Sequence, residues 1–432
     1  MLKRKFMNTL VEWKNTIGKK PLLVKGARQV GKTFIIREFG KANYKNVVEL
    51  NFFSSVEHRN IFSGNLDANT IYSKLSLHYE GVVFDKGTLL FLDEIQMCGQ
   101  ARTALKFLAE DDRCDVVASG SMLGIAYKET ASIPVGYETQ IEMFALDFEE
   151  YLWAKGLKDA NLEIFRNHYY KRLHLDAFFN DTMLSNLREY MIVGGMPAVV
   201  SKFLETNNYS DVHEVQTSII DSYLDDIAKY APTAEKPKAR NCYISLPKQL
   251  AKENKKFQYG VVEKKGTARK FENSIEWLRD AGLIKVCQNV SAPTFPLVAY
   301  TQPGYFKIYG TDIGILCAMF GFELKKQIFE NTLSGPIKGG IYENLIADIM
   351  LKKGIPLYYY KPSESKQEIE FLYTQESNII PIEVKSGNSQ TASLNEYIKR
   401  YNPLYALKFI SGNIGVSETK ITLPLYMAMF LV

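Results

Sequence analysis

Apolar runs and helical stripes alternate along the first third of the chain. LLVKG (22–26) is a short apolar run closed by glycine, and KTFIIREFG behind it sets Phe34, Ile35, Ile36 and Phe39 at helical spacing before Gly40. That order predicts strand, loop, helix. GTLLFLDEIQ and CDVVASGS predict two further strands, the first ending in Asp93 and Glu94, the second in Ser119 and Ser121. From 148 to 230 the period becomes helical and aromatic, as in FEEYLWAKGL and HEVQTSIIDSYLDDIAKY, which predicts a small helical lid. YAPTAEKPKAR, with Pro232, Pro237 and alternating charges, reads as a boundary. Beyond it, SLPKQLAKENKKF and GTARKFENSIEWLRDAGLI predict two helices, the second with Phe271, Ile275, Trp277 and Leu278 as its buried stripe and Gly282 as its end. LIKVCQNV and FPLVAY predict a hairpin around SAPT, and two helices followed by a hairpin make a winged helix. The last hundred residues predict a helix carrying Glu343, a strand carrying Glu368 and Glu370, and a buried strand, IIPIEVKSG, carrying Glu383 and Lys385.

These elements give an α/β chain in four parts: a P-loop core with a parallel sheet (1–147), a helical lid (148–232), a winged helix (233–332) and a C-terminal α/β domain (333–432). The composition, 46% hydrophobic and 23% charged, is that of a globular protein and excludes disorder. No uncharged apolar run reaches the roughly 18 residues of a membrane span, and LPLYMAMFLV is long enough only for a buried strand or short helix. No membrane partner is expected, and a cytoplasmic location is. Five widely spaced cysteines without a CxxC argue against a disulfide framework and against a cysteine zinc site. A formal charge of +5 is mild for this length, so only local clustering would point to nucleic acid.

Chemistry enters at the glycine loop. Gly26, Gly31, Lys32 and Thr33 satisfy G-x-x-x-x-G-K-[ST], between a predicted strand and a predicted helix. Such a loop, Gly26-Ala27-Arg28-Gln29-Val30-Gly31, turns backbone N–H groups toward phosphate oxygens, and the helix N-terminus adds its partial positive charge. Lys32 would neutralise the β and γ phosphates of ATP, and Thr33 would bind Mg²⁺. Asp93, at the carboxyl end of an apolar strand, would hold the same Mg²⁺, with Glu94 polarising the attacking water. Ser119 or Ser121 would lie beside the γ-phosphate, although a plain Ser-Gly turn fits the same residues. The Asn-Lys-x-Asp signature of GTPases is absent, and an Asp-Glu pair favours hydrolysis over small-molecule phosphoryl transfer.

GARQVGKT, NFF (51–53), FLDEIQ, LKFLAED, SGSMLG, SIPVGYETQIEMFALDFEEYLWA and VGGMPAVV together resemble the prokaryotic AAA-type ATPases that carry a C-terminal domain of unknown function. The resemblance runs over nearly the whole chain. It implies an AAA-type core, and it leaves a homo-oligomer open. A basic residue usually follows the Pro-Val-Gly turn in that family; Tyr137 stands here, so Arg102 or Arg113 would have to supply any finger-like charge.

On a strand, residues two apart share a face, so Glu383 and Lys385 face one site. An acid from a helix, an acid from a strand and acid-x-lysine from the next is the order of PD-(D/E)xK nucleases, which the C-terminal part resembles. It implies a restriction-endonuclease-like fold, with Glu343, Glu370, Glu383 and Lys385 as catalytic residues and Glu370 and Glu383 as metal ligands. The family's middle acid is usually Asp, in a sequence like EIDF; this chain has EIEF, one methylene longer. The same E-x-K also fits a surface ion pair without catalysis.

Two functions follow. The leading expectation is an ATP-hydrolysing AAA-type ATPase coupled to a nuclease-like domain acting on DNA, with Lys252, Lys255, Lys256, Lys264, Lys265, Arg269 and Lys270 of the winged helix contacting phosphates. The alternative is a nucleotide-dependent switch whose catalytically inactive C-terminal domain binds protein partners.

Overall fold

Two β-sheets organise the chain. The computed structural model describes residues 2–120, 136–362, 367–387 and 391–432; Ser121 and most of the SIPVG turn lie outside the described residues. One compact unit comprises Lys3–Ala145 with Asp280–Gly282, and the other Leu146–Arg279 with Leu283–Val432.

The first unit is built on β1 (Leu22–Lys25), β2 (Asn46–Asn51), β3 (Thr88–Asp93), β4 (Asp115–Gly120) and β5 (Thr139–Glu142). Their order is β2-β3-β4-β1-β5, and the neighbours pair in parallel throughout. Every residue of β3 and β4 is buried, as a parallel sheet covered on both faces requires. Leu50, Phe52, Leu90, Leu92, Ile95, Leu105 and Val116 form the core on one side. The helix Lys32–Asn43 buries Ile35, Ile36 and Phe39 and leaves Phe34 half exposed, so three of its four predicted stripe residues face inward. All strands run the same way, so the carboxyl ends of β1, β3 and β4 lie at one edge, where ligands bind in such sheets.

The second unit begins with five helices, Phe148–Ala154, Asp159–Lys171, Ala177–Val193, Pro197–Thr206 and Tyr209–Tyr230. The first starts at a full capping box between Asp147 and Glu150, which satisfies two otherwise orphaned backbone donors. In VGGMP the Gly195 N–H donates to Asp312 Oδ2 at 2.7 Å, and a Cβ on Gly195 would fall 1.9 Å from the Leu146 carbonyl oxygen. Only glycine fits there. Tyr169 is buried, and its neighbour Tyr170 is exposed.

The second sheet contains β6 (Ile284–Val290), β7 (Thr301–Gly310), β8 (Tyr358–Tyr360), β9 (Ile369–Gln375), β10 (Asn378–Val384), β11 (Ala406–Ile410), β12 (Gly415–Ser417) and β13 (Lys420–Pro424), in the order β12-β13-β11-β10-β9-β8-β6-β7. It is mixed: β6–β7, β8–β9, β9–β10 and β12–β13 are antiparallel, the rest parallel. Two expectations change here. FPLVAY is not a strand: Leu297–Tyr300 is a 3-10 turn, and the partner of β6 starts at Thr301. Pro296 has no N–H to give to a ladder, and Pro303 is accommodated because β7 lies at the sheet edge. The hairpin is also not a free wing, since β6 pairs in parallel with β8 through Gln288 and Tyr358, so the boundary expected at 332/333 falls between strands of one sheet. LPLYMAMFLV supplies a buried 3-10 segment, Leu425–Phe430. Among the described residues no helix is long and apolar enough to cross a membrane.

Candidate functional site

The loop after β1 folds as its glycines allow. Gly31 has φ 97°, and Gln29 also takes positive φ, at 67°. A Cβ on Gly26 would sit 2.2 Å from the Met143 carbonyl oxygen, so the backbone approach at the loop's start requires glycine. Lys32 folds back under the loop, donating to the carbonyls of Gly26 at 3.0 Å and Ala27 at 2.8 Å. Burial pulls the Lys32 ammonium down to about 8, although Glu94 and Asp93 oppose that effect.

Asp93 is the focus of this site. It is 2% exposed and accepts from Thr33 Oγ1 at 3.1 and 3.2 Å, from Ser119 Oγ, and from Asn51 Nδ2 at 2.9 Å. The Thr33, Asp93 and Ser119 side chains named from the sequence therefore meet. A hydroxyl and a carboxylate at that separation are the hard oxygen donors that suit Mg²⁺. Glu94 follows at φ 56°, a left-handed conformation that turns the chain after β3, and its carboxylate accepts from Gln96 Nε2.

Two residues of this site escaped the sequence reading. Asn51 stands opposite Asp93 in the β2–β3 register, and its Oδ1 accepts from the N–H groups of Phe53 at 3.0 Å and Ser54 at 2.9 Å. It holds Asp93 and caps its own turn at once. In the sequence Asn51 stands out only as the first residue of the NFF motif (51–53), which assigns it no partner. Arg4 donates to the carbonyls of Val30 at 3.1 Å and Phe144 at 2.6 Å, tying the N-terminal segment to the loop. Nothing local in MLKRKF announces a partner so far along the chain. Arg102 and Arg113 do not fit the finger role: Arg102 is 1% exposed and ion-paired to Glu138, while Arg113 pairs with Asp111 at 2.9 Å and lies over the Tyr72 ring.

In the second unit a charge cluster occupies one end of the mixed sheet. Lys385, just past β10, lies 2.9 Å from Glu370 Oε1 and 3.1 Å from Glu383 Oε1. Glu343, on the helix Gly335–Lys352, is near enough to Glu370 to oppose its ionisation. Glu343 is itself held by Lys255 at 2.8 Å and Lys307 at 3.4 Å, and Lys307 also pairs with Glu368, which Lys361 meets at 3.1 Å. Glu383 stands opposite Lys408 in the β10–β11 register, and Lys408 and Lys420 both favour its charged form.

Burial is the largest influence on each carboxylate, and the lysines decide the outcome. It pushes Glu370 up to about 7 and raises Glu383, whereas Lys307 and Lys255 outweigh it at Glu343 and hold that group below the usual range. Burial lowers the Lys385 ammonium, but Glu370 and Glu383 more than reverse this. One oxygen of each central carboxylate, Glu370 Oε2 and Glu383 Oε2, is buried without a hydrogen-bond partner. Uncompensated buried oxygens of this kind suit a cation. Among the described residues no group of three or more acidic, His or Cys side chains is arranged to hold a metal.

The basic run expected to face DNA divides in two. Lys255 is buried against Glu343, which removes it from any outer surface; Lys270 pairs with Glu263 at 2.6 Å, Lys252 donates to Gln258, and Lys256 lies over the Tyr305 ring. Lys264, Lys265 and Arg269 are exposed around the start of the helix Ala268–Asp280.

Residues 18–152 match the sequence profile of an AAA domain, residues 184–326 that of a domain of unknown function (DUF8612), and residues 338–426 that of a second domain of unknown function (DUF4143). No curated protein matches the chain. Among solved structures it is similar to a Walker-type ATPase of Pyrococcus abyssi, at 12% identity and TM-score 0.42 over 74% of this chain and 96% of that one. It is also similar to the ORC1 protein of Aeropyrum pernix in complex with DNA, at 10% identity and TM-score 0.30 over 75% and 92%. A third is AMPPCP-bound DnaA from Aquifex aeolicus, at 13% identity and TM-score 0.27 over 63% and 86%. The AAA profile spans the glycine loop, Asn51, the Asp-Glu strand end and Ser119, so residues 18–152 carry an AAA-type, ATPase-like core.

Proposed function

We propose that the chain binds and hydrolyses ATP with Mg²⁺ and couples turnover to a nuclease-like C-terminal site acting on DNA. The observation that carries the first half is the convergence of Thr33, Ser119 and Asn51 on buried Asp93, beside a loop whose lysine is within reach of its carbonyls. Backbone N–H groups of residues 26–31 grip the phosphates, Lys32 neutralises them, and Glu94 takes the proton-accepting side of the attacking water. Mg²⁺ would be held by Thr33 and Asp93, where it would offset phosphate charge. Lys32→Ala is expected to abolish ATP binding, and Glu94→Gln to bind ATP while turning it over at least about a hundredfold more slowly. Unchanged turnover in both variants would remove this assignment.

The second half rests on Glu370, Glu383 and Lys385 at one sheet end, with Glu343 beside them. Glu370 and Glu383 would hold a divalent cation there, which would supply Lewis-acid polarisation of a phosphoryl oxygen. Exposed Lys264, Lys265 and Arg269 support a phosphate-contacting role for the winged-helix segment. One observation favours a second reading, a nucleotide-operated switch with an inactive C-terminal domain that binds proteins: Lys385 already pairs with both central carboxylates. Incubation with plasmid, single-stranded DNA and RNA in Mg²⁺ or Mn²⁺ separates the two. Cleavage lost in Lys385→Ala supports the nuclease; no cleavage of any substrate supports the switch.

A further inference from the structure

Side chains along β7 alternate between two faces, and Tyr305 and Lys307 share one of them. Lys307 is buried there against Glu343 and Glu368, whereas Tyr305 is 50% exposed. The ring therefore stands on the face that carries the carboxylate cluster, on the edge strand of the sheet. A cation frames it: Lys256 Nζ sits 3.4 Å from the ring centroid. Burial and then the neighbouring Lys361 pull that ammonium below the ordinary lysine value. The pair is fixed from beneath. The Phe257 N–H donates to the Phe306 carbonyl at 2.8 Å and the two rings stack 5.4 Å apart, which sets Lys256 and Tyr305, each one residue earlier, side by side.

The surroundings are basic. The Tyr259 ring lies 6.5 Å from that of Phe306, and a Cβ on Gly266 would fall 2.4 Å from the Tyr259 carbonyl oxygen, so the turn carrying Lys264 and Lys265 folds back toward the same place. Lys264, Lys265 and Arg269 are exposed, and among the described residues none of them pairs with an acid. An accessible ring flanked by cations is the means by which proteins hold an unpaired base together with its phosphates. Bases inside a duplex stack on one another and have no face to offer. Lys256 covers one face of Tyr305, which leaves the opposite face for a ligand ring. We propose that Tyr305 is a stacking platform for a base of single-stranded DNA, with Lys264, Lys265 and Arg269 meeting the adjacent phosphates. Intact duplex is then the poorer ligand. This inference rests on the nucleic-acid reading given above and narrows its substrate class; no chemical step is part of it.

The test is fluorescence anisotropy of labelled oligonucleotides with the full chain, at low salt, without nucleotide and with chelator present so that nothing is cleaved. Three probes are compared: a short oligothymidylate, an abasic oligonucleotide of the same length and charge, and a duplex of that length. Oligothymidylate is expected to bind about tenfold tighter than the abasic probe, the scale of one base stacked on an aromatic ring, and tighter than the duplex. Tyr305→Ala should bring the intact and abasic single strands to within about twofold of each other. It should leave the abasic affinity itself unchanged, which also shows that the variant is folded. Tyr305→Phe keeps the ring and should keep the preference. Replacing Lys264, Lys265 and Arg269 together by Gln should weaken both single strands by the same factor. Equal binding of intact and abasic probes, a preference that survives Tyr305→Ala, tighter binding of the duplex, or abasic binding untouched by the triple substitution would overturn the inference while leaving the nucleic-acid reading standing. No binding of any probe would remove that reading and this inference with it.

Discussion

Asp93 accepts from three side chains drawn from three different segments, and none of those partners is close to it in sequence. Thr33 and Ser119 were legible because each belongs to a short pattern with a chemical meaning. Asn51 was not, because its role exists only once β2 and β3 lie side by side. The same limit hid Lys307, whose ammonium is buried between Glu343 and Glu368 with no local sign of either. Gly26 gives a residue-scale prediction. Its substitution by Ala drives a methyl group to 2.2 Å from the Met143 carbonyl, so Gly26→Ala should cost about 1–3 kcal/mol in strain and weaken ATP binding, read by calorimetric titration. Asp348 gives another. Burial pushes its carboxyl up to about 7 against the pull of Lys352 at 2.8 Å. The folded state therefore keeps this proton over a range where the unfolded chain has released it. Its contribution to stability is complete below about pH 4 and is lost as pH rises toward 7, by at most about 1.4 kcal/mol per pH unit. Denaturant unfolding at pH 4.5 and 7 should show this loss in the native sequence and a flatter profile in Asp348→Asn.

At the scale of elements, strand-loop-helix around residues 22–40 was readable because the apolar period changes from a continuous run to a helical stripe across a glycine loop. The helical middle segment was equally plain, and its first helix is anchored by the Asp147–Glu150 box. Asp147→Ala should destabilise the second unit by about 1 kcal/mol, the usual worth of an N-cap, seen as an earlier unfolding midpoint; Asp147→Asn should restore most of it. The hairpin differs from the expected one because FPLVAY, although apolar, contains a proline that lacks the donor a ladder needs. The true strand, Thr301–Gly310, carries Pro303 and Gly304 and looks unlike a strand until its edge position is known. Which strands β6 would join was not in the sequence at all, since β8 lies nearly seventy residues onward and pairs through backbone groups that carry no residue identity.

At the scale of the whole molecule, the chain carries two chemically distinct side-chain clusters in two compact units, one around Asp93 and the glycine loop, for which a triphosphate is the proposed ligand, and one rich in lysine and buried glutamate. If the segment 252–270 contacts a nucleic-acid backbone, the contact falls to Lys264, Lys265 and Arg269, because Lys255 and Lys270 are engaged within the protein. Charge reversal at those three positions should weaken DNA binding across all sequences and flatten its dependence on log salt by up to about three units, measured by fluorescence anisotropy over a salt series. The central claim is that Thr33 and Asp93 hold a magnesium ion against a triphosphate gripped by the glycine loop. Calorimetric titration of ATP with Mg²⁺ and with chelator, into the native chain and into Thr33→Ala, tests it most directly. The account predicts that Mg²⁺ tightens ATP binding at least about tenfold in the native chain and that Thr33→Ala loses most of this gain. No heat with MgATP, or equal affinity with and without the metal, would contradict it.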